Sequence, residues 1–509
     1  MKNTGNFYQT TFLVTFLSVA ERALGFLYRV VLARLLGAEG LGIYQIALSH
    51  FSLFRTLGGG GLPVATSRLI AKNNAIAVQG EKDKNGGALT CAILLSLAIT
   101  LPLTLLFLFF GEHFAFLLGK QSISSLKILL CGLSFTCVYA VFKGFFWGNG
   151  QFLAPALLEM GEEIVTVCAG VLLLKSFGNG LDAVGGSNLA ALSCLLAFVL
   201  SCIVSFLLFL PYKKQVPRLR PTAPLFREVA SAALPVTGVR VSSTVVSAIL
   251  AVLLPVMLTK TGISEAQATA EFGVATGMAL PLLSMPLTLV GSFALVLMPR
   301  LSEDFYAENY ERLYVNVERG LTCAVFVACL LAPFFFVLGK RIGLLTYGNA
   351  LAGDLLRNGC GLLLPMSFCM ISTTALNSMG FEKKSLFYYL IGAAAMLLCV
   401  CFLPRFIGIY AYPAGIFAQY LISGILNTVT LFQKRKPSAF FLKKTVKAAV
   451  FCLPVACLGE GIQALLANWC GAYLNMALTA LVMSIASVAL YMAFGMFSPG
   501  FLRKIFAKK

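Results

Sequence analysis

Along this chain apolar residues do not alternate with polar ones. They come in runs of about twenty or more, each closed by Gly, Pro, Asn or a small basic cluster. A helix needs about 20 apolar residues to cross a hydrocarbon layer about 30 Å thick, and such runs are too long for strands. The pattern predicts an all-α polytopic membrane protein with about fourteen transmembrane helices. Their spans are 7–36, 42–71, 87–110, 124–148, 154–177, 187–210, 226–258, 272–299, 314–338, 357–379, 385–403, 409–432, 445–466 and 474–497.

Composition agrees. Of 509 residues, 59% are hydrophobic and 12% charged, with a mean hydropathy of +0.88, whereas a soluble protein carries about a quarter of its residues charged. That excludes a soluble enzyme, a disulfide-stapled secreted domain and a nucleic-acid-binding module. The net charge of +19 comes from 39 basic and 20 acidic residues. Most of the excess sits in short loops beside apolar runs, where cytoplasmic Lys and Arg collect, so no nucleic-acid partner is expected. The 15 cysteines lie almost wholly inside apolar runs, as with Cys91, Cys131, Cys168, Cys202 and Cys452, where Cys packs as a small apolar residue. The Cys399-Val400-Cys401 pair reads the same way. With His50 and His113 as the two histidines and no paired CxxC unit, no metal site is expected. The first apolar stretch contains Glu21, Arg22, Arg29 and Arg34, too long and too charged for a cleavable signal.

The loops set topology. Lys213-Lys214 with Arg218 and Arg220, Lys383-Lys384, Lys434-Arg435-Lys436 with Lys443-Lys444, and the tail from Arg503 to Lys509 outweigh the scattered Lys120, Lys175, Lys260, Lys340, Arg341 and Arg405 of the opposite loops. The asymmetry, about three to one, places both termini in the cytoplasm. The basic, proline-rich run Pro211–Pro224 separates six crossings from the rest. The expected organisation is a six-helix lobe over 1–212, a cytoplasmic linker over 213–224, a second six-helix lobe over 225–433, and two further helices with a basic tail over 434–509. Two matches support a repeat: Phe146–Phe152 resembles Leu376–Glu382, and Leu62–Leu69 resembles Leu297–Ser302. Both matches are offset by six helices. Two lobes of equal polarity suggest a transporter.

Charge inside hydrocarbon is costly, about 2.5–3.5 kcal/mol at the bilayer centre on insertion scales, so such residues face a cavity or a partner. If the first helix enters near Phe7, Glu21 and Arg22 fall near the midplane, at about 1.5 Å per residue, and Arg29 lies two turns on along nearly the same face. Arg34 comes near the outer surface, where it reads equally as an interface anchor. Arg55 precedes Gly58-Gly59-Gly60-Gly61 and Pro63, a run that loosens a helix and is tolerated where backbone is buried in protein or lines water. Arg240 sits about four turns into the seventh crossing. Arg22, Arg29, Arg34, Arg55 and Arg240 are thus candidate substrate-binding residues, and Gly59, Gly60, Pro63 and Pro286 candidate hinges. Glu159, Glu162 and Glu163 share one helical face. With Glu21 they are candidates for ion coupling, or counter-charges to the arginines. A guanidinium matches phosphate or carboxylate bidentately, so the cluster points to an anionic, phosphate-bearing substrate. No nucleotide-binding phosphate loop, GxSxG or HExxH competes, and no enzyme is expected.

The stretch Glu21–Gln45 (ERALGFLYRVVLARLLGAEGLGIYQ) resembles the opening of the stage V sporulation protein B family. That family groups with polysaccharide exporters and MurJ-type lipid II flippases in the multidrug/oligosaccharidyl-lipid/polysaccharide exporter superfamily. Leu62-Pro63 with Ser67-Arg68, and the Gly150…Pro155…Glu162 run, resemble family positions too. The likeness in layout covers essentially the whole chain. It implies two six-helix lobes in a V around a central cationic cavity, plus two C-terminal helices. It also implies alternating access that moves an undecaprenyl-pyrophosphate-linked cell-wall, spore-cortex or polysaccharide precursor across the cytoplasmic membrane. In the flippase pattern Arg22, Arg34 and Arg55 occupy arginine positions, and Arg29 does not. The pattern's eighth-helix arginine is missing from Ala279–Pro286, and Arg240 on the neighbouring helix is the candidate to stand in for it. Thr166 stands where relatives often carry an arginine. A cation-coupled multidrug exporter of the same fold is the alternative; it calls for an acidic or apolar cavity. No cofactor is expected, and Na+, H+ or the membrane potential would supply the energy. The expected partners are a lipid-linked anionic sugar and membrane lipids, with cell-wall synthesis proteins as further candidates and the monomer as the working unit.

Overall fold

In lipid there is no water to satisfy the backbone, so each N–H and C=O must bond within its own segment. The regular elements among the described residues are accordingly helical. The computed structural model describes residues 4–76, 84–115, 119–178, 180–213, 221–433, 435–466 and 471–493, with side chains from residue 13 onward except those of Ile76, Lys84, Lys213, Phe440, Leu442 and Ala493. Lys214, Arg218, Arg220, Lys434 and the tail from Arg503 lie outside the described residues.

By packing, the chain divides into two compact units, Met1–Gly273 and Val274–Lys509. The first holds α1 (Thr4–Gly59), α2 (Leu62–Ile76), α3 (Lys84–Phe110), α4 (Ile123–Cys131), α5 (Leu133–Gly148), α6 (Leu153–Phe177), α7 (Ala183–Lys213), α8 (Ala223–Thr259) and α9 (Glu265–Gly273). The 213–224 boundary is a division by sequence; α8, which follows it, packs on α1, α2 and α3. Leu62, Leu69 and Ile70 of α2 interlock with Phe142, Phe145 and Phe146 of α5 and with Val229 and Ala233 of α8 in one core. α1, α6 and α7 pack on one another beside it.

The second unit opens with a π-helical turn, Val274–Ala279. It continues through Leu280–Ser284 into α10 (Leu287–Tyr306), α11 (Tyr310–Tyr347), α12 (Ala350–Gly359), α13 (Leu363–Ser378), α14 (Glu382–Phe402), α15 (Ala411–Leu431), α16 (Ala439–Leu466) and α17 (Ala472–Ala493). Its core joins Leu297 and Leu301 of α10, Val317 and Leu321 of α11 and Ile371 and Leu376 of α13. The last two helices dock on α11 through Cys329, Val337, Ala448, Val455, Met483 and Tyr491. Large apolar side chains such as Phe109, Leu172, Leu207 and Phe402 stay exposed, as a lipid-facing surface requires.

Ten helices among the described residues are long and apolar enough to cross a membrane, and two bent pairs raise the number to twelve. This is a multi-pass membrane protein, yet length and apolarity alone do not reach the expected fourteen. Residues 13–75 count as one span, although α1 carries a non-helical Gly37 at φ 69° and ψ −179° between the first two expected crossings. α6 is absent from that count because Glu159, Glu162, Glu163 and Lys175 sit within its 25 residues. The bent pairs are 120–131 with 133–148, at 45°, and 265–284 with 287–306, at 52°.

The two similar heptapeptides close their helices alike. After α5, Gly150 takes φ 74° and Gln151 N–H donates to the Phe146 carbonyl; after α13, Gly380 takes φ 78° and Phe381 N–H donates to the Leu376 carbonyl. Both are left-handed C-caps, which a residue without Cβ adopts most readily. The other match differs: Pro63 opens α2, whereas Pro299 lies inside α10.

Candidate functional site

The Gly150 turn redirects the chain into α6, whose three carboxylates emerge on one face toward α1, α5 and α7. Each meets a cation from another segment. Glu159 forms an ion pair with Lys143 of α5, whose ammonium lies 4.6 Å from the centre of the Trp147 ring. Glu162 lies within the field of Arg55, with the Ser201 hydroxyl in hydrogen-bonding reach, and its Oε2 is buried without a hydrogen-bond partner. Glu163 lies within the field of Arg29 and rests against Gly25 of α1, where a Cβ would come 2.8 Å from its Oε1. Glu21 is in reach of Glu159, Glu163, Lys143 and Arg22. The buried Tyr139 hydroxyl has no hydrogen-bond partner and lies near Glu159, Glu162 and Glu21.

The sequence suggested an arginine lining. The structure intersperses it with acid: Arg22, Arg29, Arg55 and Lys143 accompany Glu21, Glu159, Glu162 and Glu163. Lys143 escaped the sequence reading, although a lone charge in the aromatic run Phe142–Trp147 is the kind of signal that marks a paired residue. Arg34 is exposed three residues before Gly37. Arg240 Nη1 donates to the Gly60 carbonyl at 2.9 Å.

Among the hinge candidates, Gly59 is the last residue of α1 and Gly60 lies in the break before α2. Pro63 is the second residue of α2, where a helix start leaves N–H groups unbonded anyway. It marks a beginning, and not a defect within a helix. Pro286 directly precedes α10 at the 52° bend. A separate cavity of about 410 Å³, lined by Ile43, Ile46, Lys120, Pro255, Glu265 and Thr269 among others, contains none of the candidate arginines.

Such an array can exchange partners. An entering anion competes with the glutamates for the same guanidinium forks, and each carboxylate so released needs a proton or a cation while it stays out of bulk water.

A family model described as polysaccharide biosynthesis protein matches residues 7–305. Stage V sporulation protein B of Bacillus subtilis (strain 168) is 26% identical over 355 residues, 68% of this chain and 67% of that protein. Lipid II flippase MurJ of the same organism is 23% identical over 341 residues, 62% of this chain and 61% of that one. A solved structure of lipid II flippase MurJ in an inward closed conformation superposes with a TM-score of 0.70 at 17% identity, covering 95% of this chain and 99% of that one. An inward-facing multidrug resistance MATE family transporter of the MOP superfamily gives 0.65 at 17% identity, covering 84% and 95%. The structural likenesses establish the fold. The family match extends over more than half of the sequence, and the chain belongs to the polysaccharide biosynthesis protein family.

Proposed function

We propose that this protein is a flippase: a transporter, not an enzyme, that moves an undecaprenyl-pyrophosphate-linked cell-wall, spore-cortex or polysaccharide precursor across the cytoplasmic membrane by alternating access. The observation that carries the reading is the set of exposed guanidinium groups, Arg22, Arg29, Arg55 and Arg240, on otherwise apolar helices of the first unit. A guanidinium facing lipid is costly, so these line an aqueous path, and their planar forks suit a diphosphate. The relatives named as a lipid II flippase and a stage V sporulation protein support the same substrate class. Glutamates released by the arriving diphosphate take up H+ or Na+, which keeps the occupied site near neutral. Both termini lie in the cytoplasm, and the monomer transports.

The second reading is a cation-coupled multidrug exporter, favoured by the four carboxylates near one another and by the likeness in fold to MATE transporters. One binding experiment separates them. Purified protein is offered an undecaprenyl-pyrophosphate-linked sugar and a cationic dye. Saturable binding of the lipid with none of the dye is expected, and the reverse would overturn the flippase reading.

A further inference from the structure

The helix that carries Arg55 breaks just beyond it. α1 stops at Gly59 and α2 begins at Leu62. Pro63 has no N–H to return to the Gly59 carbonyl four residues back, and the next carbonyl, that of Gly60, accepts from Arg240 Nη1 at 2.9 Å. The approach of α8 is made possible by the absence of a side chain. A Cβ on Gly61 would fall 2.2 Å from the Ala233 carbonyl oxygen and 2.6 Å from Thr237 Oγ1. Ala233, Thr237 and Arg240 recur at i, i+4 and i+7, on one face of α8. On the other side of the break, the Arg55 carbonyl accepts from Cys137 Sγ at 3.7 Å. The segment that aims the Arg55 side chain is therefore held at both ends.

Arg240 is exposed. A guanidinium carries five N–H donors, of which the Gly60 contact uses one. A neutral carbonyl competes poorly with an anion, since a phosphate adds charge–charge attraction and a second, parallel hydrogen bond to the guanidinium fork. We propose that Arg240 is a positioning residue, a latch on the Gly60–Gly61 break that lets go when a phosphate group draws its guanidinium away. The trigger rests on the anionic-substrate reading above; the latch does not. Release would free the α1–α2 joint, and with it Arg55, at the moment of substrate arrival.

Amide hydrogen exchange of the full chain in lipid nanodiscs, read on peptides covering Thr56–Ala65, tests both halves. Arg240→Gln, which loses the charged fork, should speed exchange there about tenfold or more, as the loss of one hydrogen bond from a charged donor implies. Arg240→Lys, which keeps a charged donor, should fall between. Adding undecaprenyl pyrophosphate should speed exchange in the wild-type peptides and leave those of Arg240→Gln unmoved. If Arg240→Gln exchanges like wild type, the latch is wrong. If the lipid binds by native mass spectrometry yet leaves wild-type exchange unchanged, the trigger is wrong. If the lipid does not bind, the flippase reading fails and takes the trigger with it, while the variant alone still decides the latch.

Discussion

Replacing Arg55 with Ala removes the cation in reach of Glu162, a carboxylate that already has one oxygen without a hydrogen-bond partner. Breaking a buried ion pair costs about 3–5 kcal/mol, because the remaining charge stays uncompensated. Arg55 acts on Glu162 through its field and not through a close ion pair, and it is exposed to water, so about 1 kcal/mol is expected. Adding Glu162→Gln should restore most of the loss, since an amide leaves no stranded charge. Transport should not return with stability. If Arg55 grips the diphosphate, the Arg55→Ala/Glu162→Gln protein is stable and inactive, while Arg55→Lys, which keeps charge without the fork, is stable and partly active. The assay pairs SDS-titrated unfolding of the purified variants with flipping in vesicles, read as protection of the sugar headgroup from an impermeant reagent. A double variant that flips at the wild-type rate refutes the anionic-substrate mechanism. An Arg55→Ala protein as stable as wild type refutes the counter-charge argument.

Arg22→Ala should likewise abolish flipping while the protein still accumulates in the membrane; normal export by that variant would remove Arg22 from the site. Lys143→Met and Glu159→Gln should each destabilise the chain, and the double variant should recover part of the loss, with a coupling of about 1 kcal/mol or more; additive effects would reduce the pair to a chance contact. Glu163→Gln should weaken transport and alter its pH or sodium dependence, and an unaltered dependence would leave Glu163 as the counter-charge of Arg29. A single cysteine placed at Lys443, in a background lacking the exposed Cys131, Cys168 and Cys457, should react with an impermeant maleimide only from the cytoplasmic side. Labelling from outside intact cells would invert the topology.

The existence of the helices was legible because a crossing leaves a signature of length and apolarity, and the sequence also placed Glu21, Arg29, Arg55 and Glu162 on crossings. The left-handed caps at Gly150 and Gly380 were visible as punctuation, since Gly and Asn recur in both heptapeptides. Other features are tertiary and leave no local mark. The 45° bend at Gly132 and the π-helical turn at Val274–Ala279 occur inside apolar runs that read as continuous. The partnering of Glu159 with Lys143 joins residues on different helices, and periodicity reports the face on which a residue lies but not what lies opposite. Pro63 was ambiguous for a related reason: the local sequence does not say whether a proline stands at a helix start or inside a helix, and the Gly60–Gly61 break distinguishes the two.

Carboxylates among the arginines change the argument against a cationic substrate, because the site is no longer set apart by sign alone. What separates the two substrate classes is the group left behind. A cationic drug that draws Glu162 or Glu163 to itself strands Arg55 or Arg29. A guanidinium cannot shed its proton at any cellular pH, so that charge can be offset only by water or a counter-ion. A diphosphate that draws the same arginines to itself strands glutamates, and a carboxylate in a site of low polarity can take up a proton and cease to be charged. An array of Arg–Glu neighbours is therefore chemically lopsided. It can admit anions and neutralise the groups they displace, whereas cations leave it with charge it has no means to discharge.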